Sequence, residues 1–146
     1  MKTLRFLLLT QLTFVILAGC ATTVPVSEIS TKETVFAREL ADTQLMTIAP
    51  KAVVKAFTIN DPVVNVLVTV KWDANKPRAG VHNIRWEWYT GSELISKVNA
   101  RFNFYTTPFT LLGTIPTMML GVGKHSVKLF IRDQEFANAS FLVTES

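Results

Sequence analysis

The stretch from Val63 to Trp72 restricts the fold more than any other part of the chain. Apolar residues stand at every second position in it, namely Val64, Val66, Val68, Val70 and Trp72. Successive side chains of a β-strand point to opposite faces, so this spacing places all five on one side of an extended segment. Most of them are β-branched, which suits the pleated surface of a sheet. The pattern predicts a central strand of a β-sandwich.

Further strands are predicted on either side of this one. Alternating apolar residues indicate them at 52–60, 81–89, 94–98 and 100–106, and two more lie around Val127–Ile131 and Ala137–Val143. About seven short strands separated by turns, with no long helical pattern, predict an all-β fold, an antiparallel β-sandwich. Residues 107–123 are less regular. Pro108 and Pro116 cannot donate to a strand ladder, which predicts an edge or crossover segment.

The part of the chain before residue 51 gives a weaker signal. Residues 21–34 are polar and rich in Ser and Thr, which predicts a flexible tether. Ser30 with Glu33 matches a capping box. Val35–Leu45 fits either a short helix or an early strand, and the sequence leaves both open.

The last two strands are predicted to form a hairpin whose register follows their apolar faces. A three-residue loop, 133–135, would pair Ile131 with Ala137, Leu129 with Ala139 and Val127 with Phe141. A bulge is the alternative to this odd-length loop.

Two motifs near the end resemble the bacterial immunoglobulin-like domains. Leu120-Gly121-Val122-Gly123-Lys124-His125-Ser126-Val127 looks like their corner and penultimate strand, and Ala137–Val143 looks like their last strand. Trp86 is similar to a core tryptophan of a middle strand. The resemblance covers residues 50–146 and implies an immunoglobulin-like sandwich without an inter-sheet disulfide. It implies no particular function, because such sandwiches have many roles.

The N-terminus has the features of a secretory signal peptide. Lys2 and Arg5 form a basic start, Phe6–Ile16 is apolar, and small residues follow. Leu17-Ala18-Gly19-Cys20 resembles a bacterial lipobox, which implies cleavage before Cys20 and lipidation of that residue, with a diacylglyceryl group on its thiol and usually a third acyl chain such as palmitate elsewhere on the same cysteine. We therefore expect residues 1–19 to be the signal peptide, 20–50 the lipidated cysteine and tether, and 51–146 the sandwich.

Charge and cysteine content exclude several classes of function. The net charge of +4 includes Lys2 and Arg5, and no block of like charge remains without them, so nothing indicates a nucleic-acid partner. Cys20 is the one cysteine. If it carries lipid, a disulfide, a thiol nucleophile and a cysteine-ligated metal are all excluded.

The sequence predicts no catalytic site, no metal site and no cofactor. His82 and His125 each flank a predicted strand, without a second histidine at ligand spacing. Gly121 and Gly123 do not precede a helix, so they are expected to be corner glycines rather than a phosphate loop. The carboxylates are scattered, and several lie in predicted turns.

The aromatic residues divide into a predicted core and a candidate partner surface. The core set is Trp72, Trp86, Trp88, Phe102 and Phe104. Phe130, Phe136 and Leu142 fall on the opposite face of the last hairpin, where they would form an apolar patch for a protein partner, unless the N-terminal segment covers it. Thr110–Met119 is a second apolar stretch, for which core filling is expected.

These features predict a membrane-anchored lipoprotein of the outer membrane, exposed to the periplasm or the cell surface, with a protein-binding or structural sandwich and no enzymatic activity. Ala21-Thr22 lacks the aspartate that retains lipoproteins in the inner membrane of many Gram-negative bacteria. A carrier of a small apolar ligand and an inhibitor of an envelope enzyme are the alternatives. A cavity between the sheets would favour the carrier.

Overall fold

The computed structural model describes residues 23–42, 48–76 and 78–146, and within these ranges the chain is built from β-strands and two short 3₁₀ turns. The turns are Val26–Glu28 and Thr117–Met119. The strands are β1 (Ser30–Ala37), β2 (Leu40–Asp42), β3 (Ile48–Pro50), β4 (Val53–Val54), β5 (Ala56–Thr58), β6 (Val63–Lys71), β7 (Gly80–Thr90), β8 (Glu93–Phe104), β9 (Phe109–Pro116), β10 (Gly123–Ile131) and β11 (Gln134–Thr144).

The strands form two main sheets that enclose one core. One sheet has the order β4-β1-β6-β9 and the other β5-β11-β10-β7-β8, while β2 and β3 pair separately. All pairs are antiparallel except β5 with β11. β6 pairs with β9, and β7 with β10, across long connections rather than as hairpins. This arrangement is typical of the immunoglobulin fold, and the predicted fold class is confirmed.

The alternating apolar residues of β6 lie in the core, as the sequence pattern predicted. Val64, Val66, Val68 and Val70 are fully buried and Trp72 is 7% exposed. Leu67 and Asn65 on the other face are buried as well, because β6 lies between β1 and β9 in the sheet. Trp86, Trp88 and Phe104 are buried as predicted. Phe102 is not, since it lies on the edge strand β8 and remains 39% exposed.

Two aromatic clusters fill opposite ends of the core. In one, the Phe141 ring lies 5.0 Å from Phe36 and 5.9 Å from Phe57. In the other, the Phe104 ring lies 4.8 Å from Phe109 and 6.2 Å from Trp72. These edge-to-face and stacked contacts add to the burial of apolar area that holds the sheets together.

The prediction of a flexible tether is wrong for the part of 21–34 that the structure describes. Val24 and Ile29 are buried, and Val26–Glu28 forms a 3₁₀ turn. β1 then pairs with β6 and lies inside the first sheet. The polar composition gave a wrong prediction, because only a few apolar side chains hold this segment in place. Its backbone is held by hydrogen bonds to a central strand.

The choice left open for Val35–Leu45 is settled in favour of strands, because its described residues lie in β1, in β2 or in the bend 38–39 between them. Residues 43–45 lie outside the described part.

The single strand predicted over 52–60 is instead β4 and β5, which belong to different sheets. The two strands predicted at 94–98 and 100–106 are one continuous strand, β8. Residues 107–123 do contain an edge strand, β9, between Pro108 and the 3₁₀ turn.

The last hairpin has a different register from the one predicted. Leu129 pairs with Ala137 and Val127 with Ala139, and the turn is the two-residue Arg132-Asp133. Arg132 takes a left-handed conformation with φ of 46°. A bulge between Leu129 and Phe130 in the pairing absorbs the odd residue, so the predicted bulge alternative is correct. The shift is two residues, which keeps the apolar faces on the correct side.

Candidate functional site

Leu17, Ala18, Gly19 and Cys20, the predicted lipobox, lie outside the described residues, but the structure shows where the chain enters the fold. Val24 is 2% exposed, and its N–H donates to the Ala79 carbonyl over 3.1 Å. Thr23 packs so closely on Gly80, which has φ of 86°, that a Cβ on the glycine would collide with it. Folded structure therefore begins a few residues after Cys20.

The two ends of the sandwich differ in the segments that they carry. We call the end where Thr23 enters the N-terminal end, and it comprises residues 23–29, 72–76, 78–79, 105–108 and 132–133. The opposite, C-terminal end comprises residues 59–62, 91–92, 117–122 and 145–146. β7 runs from one end to the other, between Gly80 and Thr90.

Acidic side chains at the N-terminal end already have partners. Lys76 forms an ion pair with Glu28, and Asp133 accepts a bond from Arg85 at 3.1 Å. Asp73 accepts a hydrogen bond from the Asn75 N–H over 2.9 Å. Four exposed basic residues at or beside this end form no ion pair within the described part of the chain; they are Lys71, Arg78, Arg101 and Arg132. The charge left over at this end is positive.

A groove on the outer face of the five-stranded sheet opens beside the N-terminal end. Its volume is about 1020 Å³, and its polar lining has three guanidinium groups, one carboxylate and two amides, from Arg85, Arg101, Arg132, Asp133, Asn83 and Asn99. The Arg132 N–H donates to the Asn83 carbonyl, and Asn83 pairs with Arg101 in the sheet, so the two arginines flank one backbone position. Guanidinium groups present several N–H donors in a planar fork that fits phosphate and carboxylate oxygens. The groove is therefore suited to an anion.

Arg85 is held at the floor of this groove by several contacts. Its Nε donates to Glu87 at 2.8 Å, and its guanidinium carbon lies 4.2 Å from the centre of the Phe130 ring. Tyr89 donates its hydroxyl proton to Glu87 at 2.6 Å. The bond from Tyr89, assisted by Arg85, lowers the pKa of Glu87, and the same bond raises the pKa of Tyr89. Hydrogen bonds to Asp133 and Glu87 raise the pKa of Arg85, so all of these charges are fixed at neutral pH.

The two histidines have structural partners and lie far apart. His125 donates from Nε2 to the Gly121 carbonyl at 2.9 Å, and its Nδ1 shares a hydrogen bond with the Thr90 hydroxyl group at 2.9 Å. His82 donates from Nε2 to the Ala79 carbonyl at 2.9 Å, while its Nδ1 is buried without a partner among the described residues. Burial lowers the pKa of His82. Because His125 pairs with Thr90, eight positions along β7 from His82, the two rings are separated by about 26 Å.

Within the described residues, no three His, Cys, Asp or Glu side chains come close enough to hold a metal ion. Asp61 accepts bonds from the Thr58 N–H and from Arg38 in the turn before β6, which is the local structural role expected of a turn aspartate. Gly121 and Gly123 take positive φ values of 71° and 142° at the corner before β10, as corner glycines do.

The predicted partner surface of Phe130, Phe136 and Leu142 does not form one patch. Phe130 lies under Arg85, and Phe136 packs against the core. Leu142 is 38% exposed and pairs with Lys124, six positions along β10 from Phe130, which corresponds to about 20 Å. The predicted hairpin register placed these residues too close together, and the bulge turns Phe136 towards the core. The N-terminal segment also contacts this region, since Thr31 donates a hydrogen bond to the Phe136 carbonyl.

Exposed apolar side chains occur instead at several other places, of which two are considered as contact surfaces. At the C-terminal end, Met118 is 84%, Met119 51% and Val122 53% exposed. The Thr110–Met119 stretch is thus partly buried and partly exposed, because Leu111 and Ile115 fill the core as expected while Met118 and Met119 do not. On β8, the free edge of its sheet, Val98 is 46% and Phe102 39% exposed.

The space between the sheets is closely packed around Trp86. The β9 backbone approaches its indole so closely that a Cβ on Gly113 would lie 2.9 Å from the ring. Trp88, Ile84 and Leu111 are almost fully buried beside it. This packing lends no support to a ligand carried between the sheets.

Sequence reasoning missed the arginine groove. Asn83-x-Arg85 and Asn99-x-Arg101 both stand on the outward positions of their strands, and this alternation was available as a signal. The pairing of Asn83 with Arg101 and Arg85 with Asn99 brings the two pairs together. That register includes a bulge at Trp88 and Tyr89, and no pattern of residues in the sequence predicts this bulge.

Comparison with known proteins shows likeness in fold alone. No family model and no curated protein matches the chain. An immunoglobulin-like protein from Pseudomonas aeruginosa is similar over 80% of this chain and 96% of its own, with 10% identity and a TM-score of 0.48. Part of an alkylpurine DNA glycosylase from Pseudomonas fluorescens, bound to DNA with an abasic-site analogue, is similar over 80% of this chain, with 9% identity and a TM-score of 0.48. Part of a β-glucosidase from Listeria innocua is similar over 77% of this chain, with 12% identity and a TM-score of 0.43.

The chain spans 30% of the glycosylase and 16% of the glucosidase. Similarities at this level give no information about the activity of this chain, because sandwiches of this kind are found in proteins with unrelated functions. In the part of the chain that the structure describes, no helix is long and apolar enough to cross a bilayer.

Proposed function

We propose that this chain is a lipoprotein of the bacterial cell envelope, sorted to the outer membrane, whose immunoglobulin-like sandwich is a protein-binding or structural module. The observation that carries the proposal is Leu17-Ala18-Gly19-Cys20 at the end of an apolar run that follows a basic start. A diacylglyceryl group with a further acyl chain provides the stable anchoring that one chain alone does not.

The binding role is supported by the free edge of the five-stranded sheet. β8 is 12 residues long, and along one side its backbone donors and acceptors pair with no strand of the described part of the chain. Val98 and Phe102 add exposed apolar side chains to this edge. A strand of a partner protein that adds to β8 would satisfy the backbone groups and bury those side chains.

The anchor is tested by replacing the cysteine. Cys20→Ser is expected to leave an uncleaved or released form without lipid, whereas the wild type fractionates with membranes and has a lipidated Cys20 by mass spectrometry. Thr22→Ser is the matched control and is expected to behave as wild type. Ala21→Asp tests sorting and is expected to move the protein to the inner membrane. Membrane retention of a processed Cys20→Ser protein would contradict lipidation.

The partner surface is tested by cross-linking in intact cells. A photoreactive amino acid at Val98 on β8 is expected to capture an envelope protein, while the same group at Ser140, exposed on β11, is not. Equal capture from both positions, or none from Val98, would overturn the assignment of β8 as the binding edge.

A further inference from the structure

The short connection between Cys20 and the fold determines which end of the domain lies near the membrane, and this inference rests on the lipid anchor proposed above. The Val24 side chain is buried and its N–H is bonded to Ala79, so the fixed structure begins four residues after Cys20. An extended residue spans at most about 3.6 Å, which limits the separation to about 14 Å. The N-terminal end is therefore held close to the bilayer surface.

The C-terminal end lies much further from the anchor. β7 has 11 residues and runs from the N-terminal end at Gly80 to the C-terminal end at Thr90. A strand of this length spans about 35 Å. Only the N-terminal end falls within about one or two Debye lengths of the headgroups at physiological salt, where charges on the two surfaces interact.

The charge of the N-terminal end suits an anionic lipid surface. Of its three carboxylates, Glu28 and Asp133 pair with Lys76 and Arg85, and Asp73 forms no ion pair with any described residue. Lys71, Arg78, Arg101 and Arg132 are exposed and form no ion pair with any described residue. Arg101 and Arg132 line the groove beside Asn83, which lies three residues from the start of β7 and so about 10 Å from that end.

An exposed aromatic residue stands at the same end. Tyr105 is 50% exposed, and its ring is held edge-on against Phe109 with the centroids 5.6 Å apart. Tyrosine favours the boundary between lipid and water, because its ring is apolar and its hydroxyl group polar. The end thus combines cations that are suited to phosphate with an aromatic side chain that packs against Phe109.

We infer that the N-terminal end of the sandwich docks on anionic lipid headgroups, with Lys71, Arg78, Arg101 and Arg132 contacting the phosphates. A weak interaction is sufficient, since a short tether gives an effective concentration in the millimolar range. Docking orients the domain upright, so that the exposed Met118, Met119 and Val122 point away from the bilayer.

The inference is tested on the mature chain, Cys20–Ser146, coupled through its one cysteine to a maleimide lipid in nanodiscs. Nanodiscs with phosphatidylglycerol are compared with nanodiscs of phosphatidylcholine alone, and each contains a headgroup nitroxide. With the anionic lipid, amide signals of residues 72–76, 105–107 and 132–133 are expected to broaden more than those of 91–92 and 117–122. This coupling bypasses natural lipidation, so its result is independent of the Cys20→Ser test.

A charge-neutralising pair measures the strength of docking. Arg78→Gln with Arg132→Gln is expected to lower the partition coefficient on phosphatidylglycerol vesicles about 25-fold in the uncoupled chain, because each basic residue near an anionic surface contributes about fivefold. Lys55→Gln with Lys124→Gln removes two exposed cations from the opposite end region and is the matched control, with little change expected.

Three outcomes would overturn the inference. One is equal broadening of both ends on anionic nanodiscs. Another is the same broadening pattern on phosphatidylcholine alone, which would show that the tether by itself sets the orientation. The last is an equal loss of partition in both pairs of variants, which would show a response to net charge only.

Discussion

The backbone of Gly113 lies directly against the indole of Trp86. A Cβ at position 113 would stand 2.9 Å from Cδ2 and Cε3 of that ring, on the inner side of β9. The ring is 4% exposed and is enclosed on its other sides by core residues, so it has little room to move. The pairing of Gly113 with Val66 in the central strand β6 fixes the backbone at this distance.

We expect Gly113→Ala to lower the free energy of unfolding by about 1–3 kcal/mol, the usual cost of overpacking a close-packed core. Urea denaturation followed by tryptophan fluorescence measures this. The contact with Trp86 is isolated by a double-mutant cycle, in which Gly113→Ala is expected to cost less in a Trp86→Leu background than in the wild type. Additive losses would show that the ring is not the cause.

The same pair of residues shows how far the sequence predicts the fold. Alternation predicted that Trp86 and the valines of β6 are core residues, because burial of one face of a strand imposes a period of two. Gly113 gave no such signal, since its role depends on a contact between residues 27 positions apart in the chain. Patterns report which face of a strand is buried, but not which side chain meets it from the other sheet.

Sites at the surface were predicted less well than the core for a related reason. Phe130 and Leu142 stand on the predicted outward face, but bulges and turns decide how far apart such residues lie. The arginine groove depends on the register of β7 with β8, in which Asn83 meets Arg101. The alternation of polar and apolar residues predicts which face of a strand is buried. It does not predict a register between two strands that depends on a bulge.

His82 is expected to make stability depend on pH. Burial lowers the pKa of its imidazole in the folded state, helped by the nearby Arg132 and opposed by the bond to the Ala79 carbonyl. The unfolded chain therefore binds a proton more readily than the folded one, and stability is lost as pH falls from about 6.5 towards the lower folded pKa. Above about 6.5 the contribution is complete.

The measurement for His82 is urea denaturation at a series of pH values between 4.5 and 8, paired with NMR titration of the imidazole carbon signals. His82→Phe keeps a ring next to Phe104, whose centroid lies 5.1 Å away, and removes the titrating group. This variant is expected to lose less stability than the wild type between pH 7 and pH 5. Equal losses would contradict the role assigned to His82.

Glu87 is expected to control the ionisation of Tyr89. The hydroxyl group of Tyr89 donates to the Glu87 carboxylate at 2.6 Å, and this bond raises the pKa of the phenol. Glu87→Gln removes the negative charge that opposes formation of the phenolate, so the pKa of Tyr89 should fall towards its usual value of about 10.

Ultraviolet absorbance at high pH measures the Tyr89 titration, and a Tyr105→Phe background leaves Tyr89 as the one tyrosine in the chain. Glu93→Gln is the control, because Glu93 is exposed at the start of β8 and forms no bond with Tyr89. An unchanged pKa in Glu87→Gln would show that the hydrogen bond does not persist in solution.

Ile29 tests whether the N-terminal segment belongs to the domain. Its side chain is 4% exposed and joins the core immediately before β1, whereas a flexible tether would leave it in water. Ile29→Ala in the mature chain is expected to lower the free energy of unfolding by about 2–5 kcal/mol, through lost burial and the cavity left behind.

Ser27→Ala, at an exposed position of the 3₁₀ turn, is the matched control and should stay within about 0.5 kcal/mol of wild type. Urea denaturation compares the two, and equal midpoints would mean that this segment detaches from the sandwich in solution. A loss confined to Ile29→Ala would show that the fold holds the chain at Ile29 in solution, which shortens the connection between the sandwich and the proposed lipid anchor at Cys20.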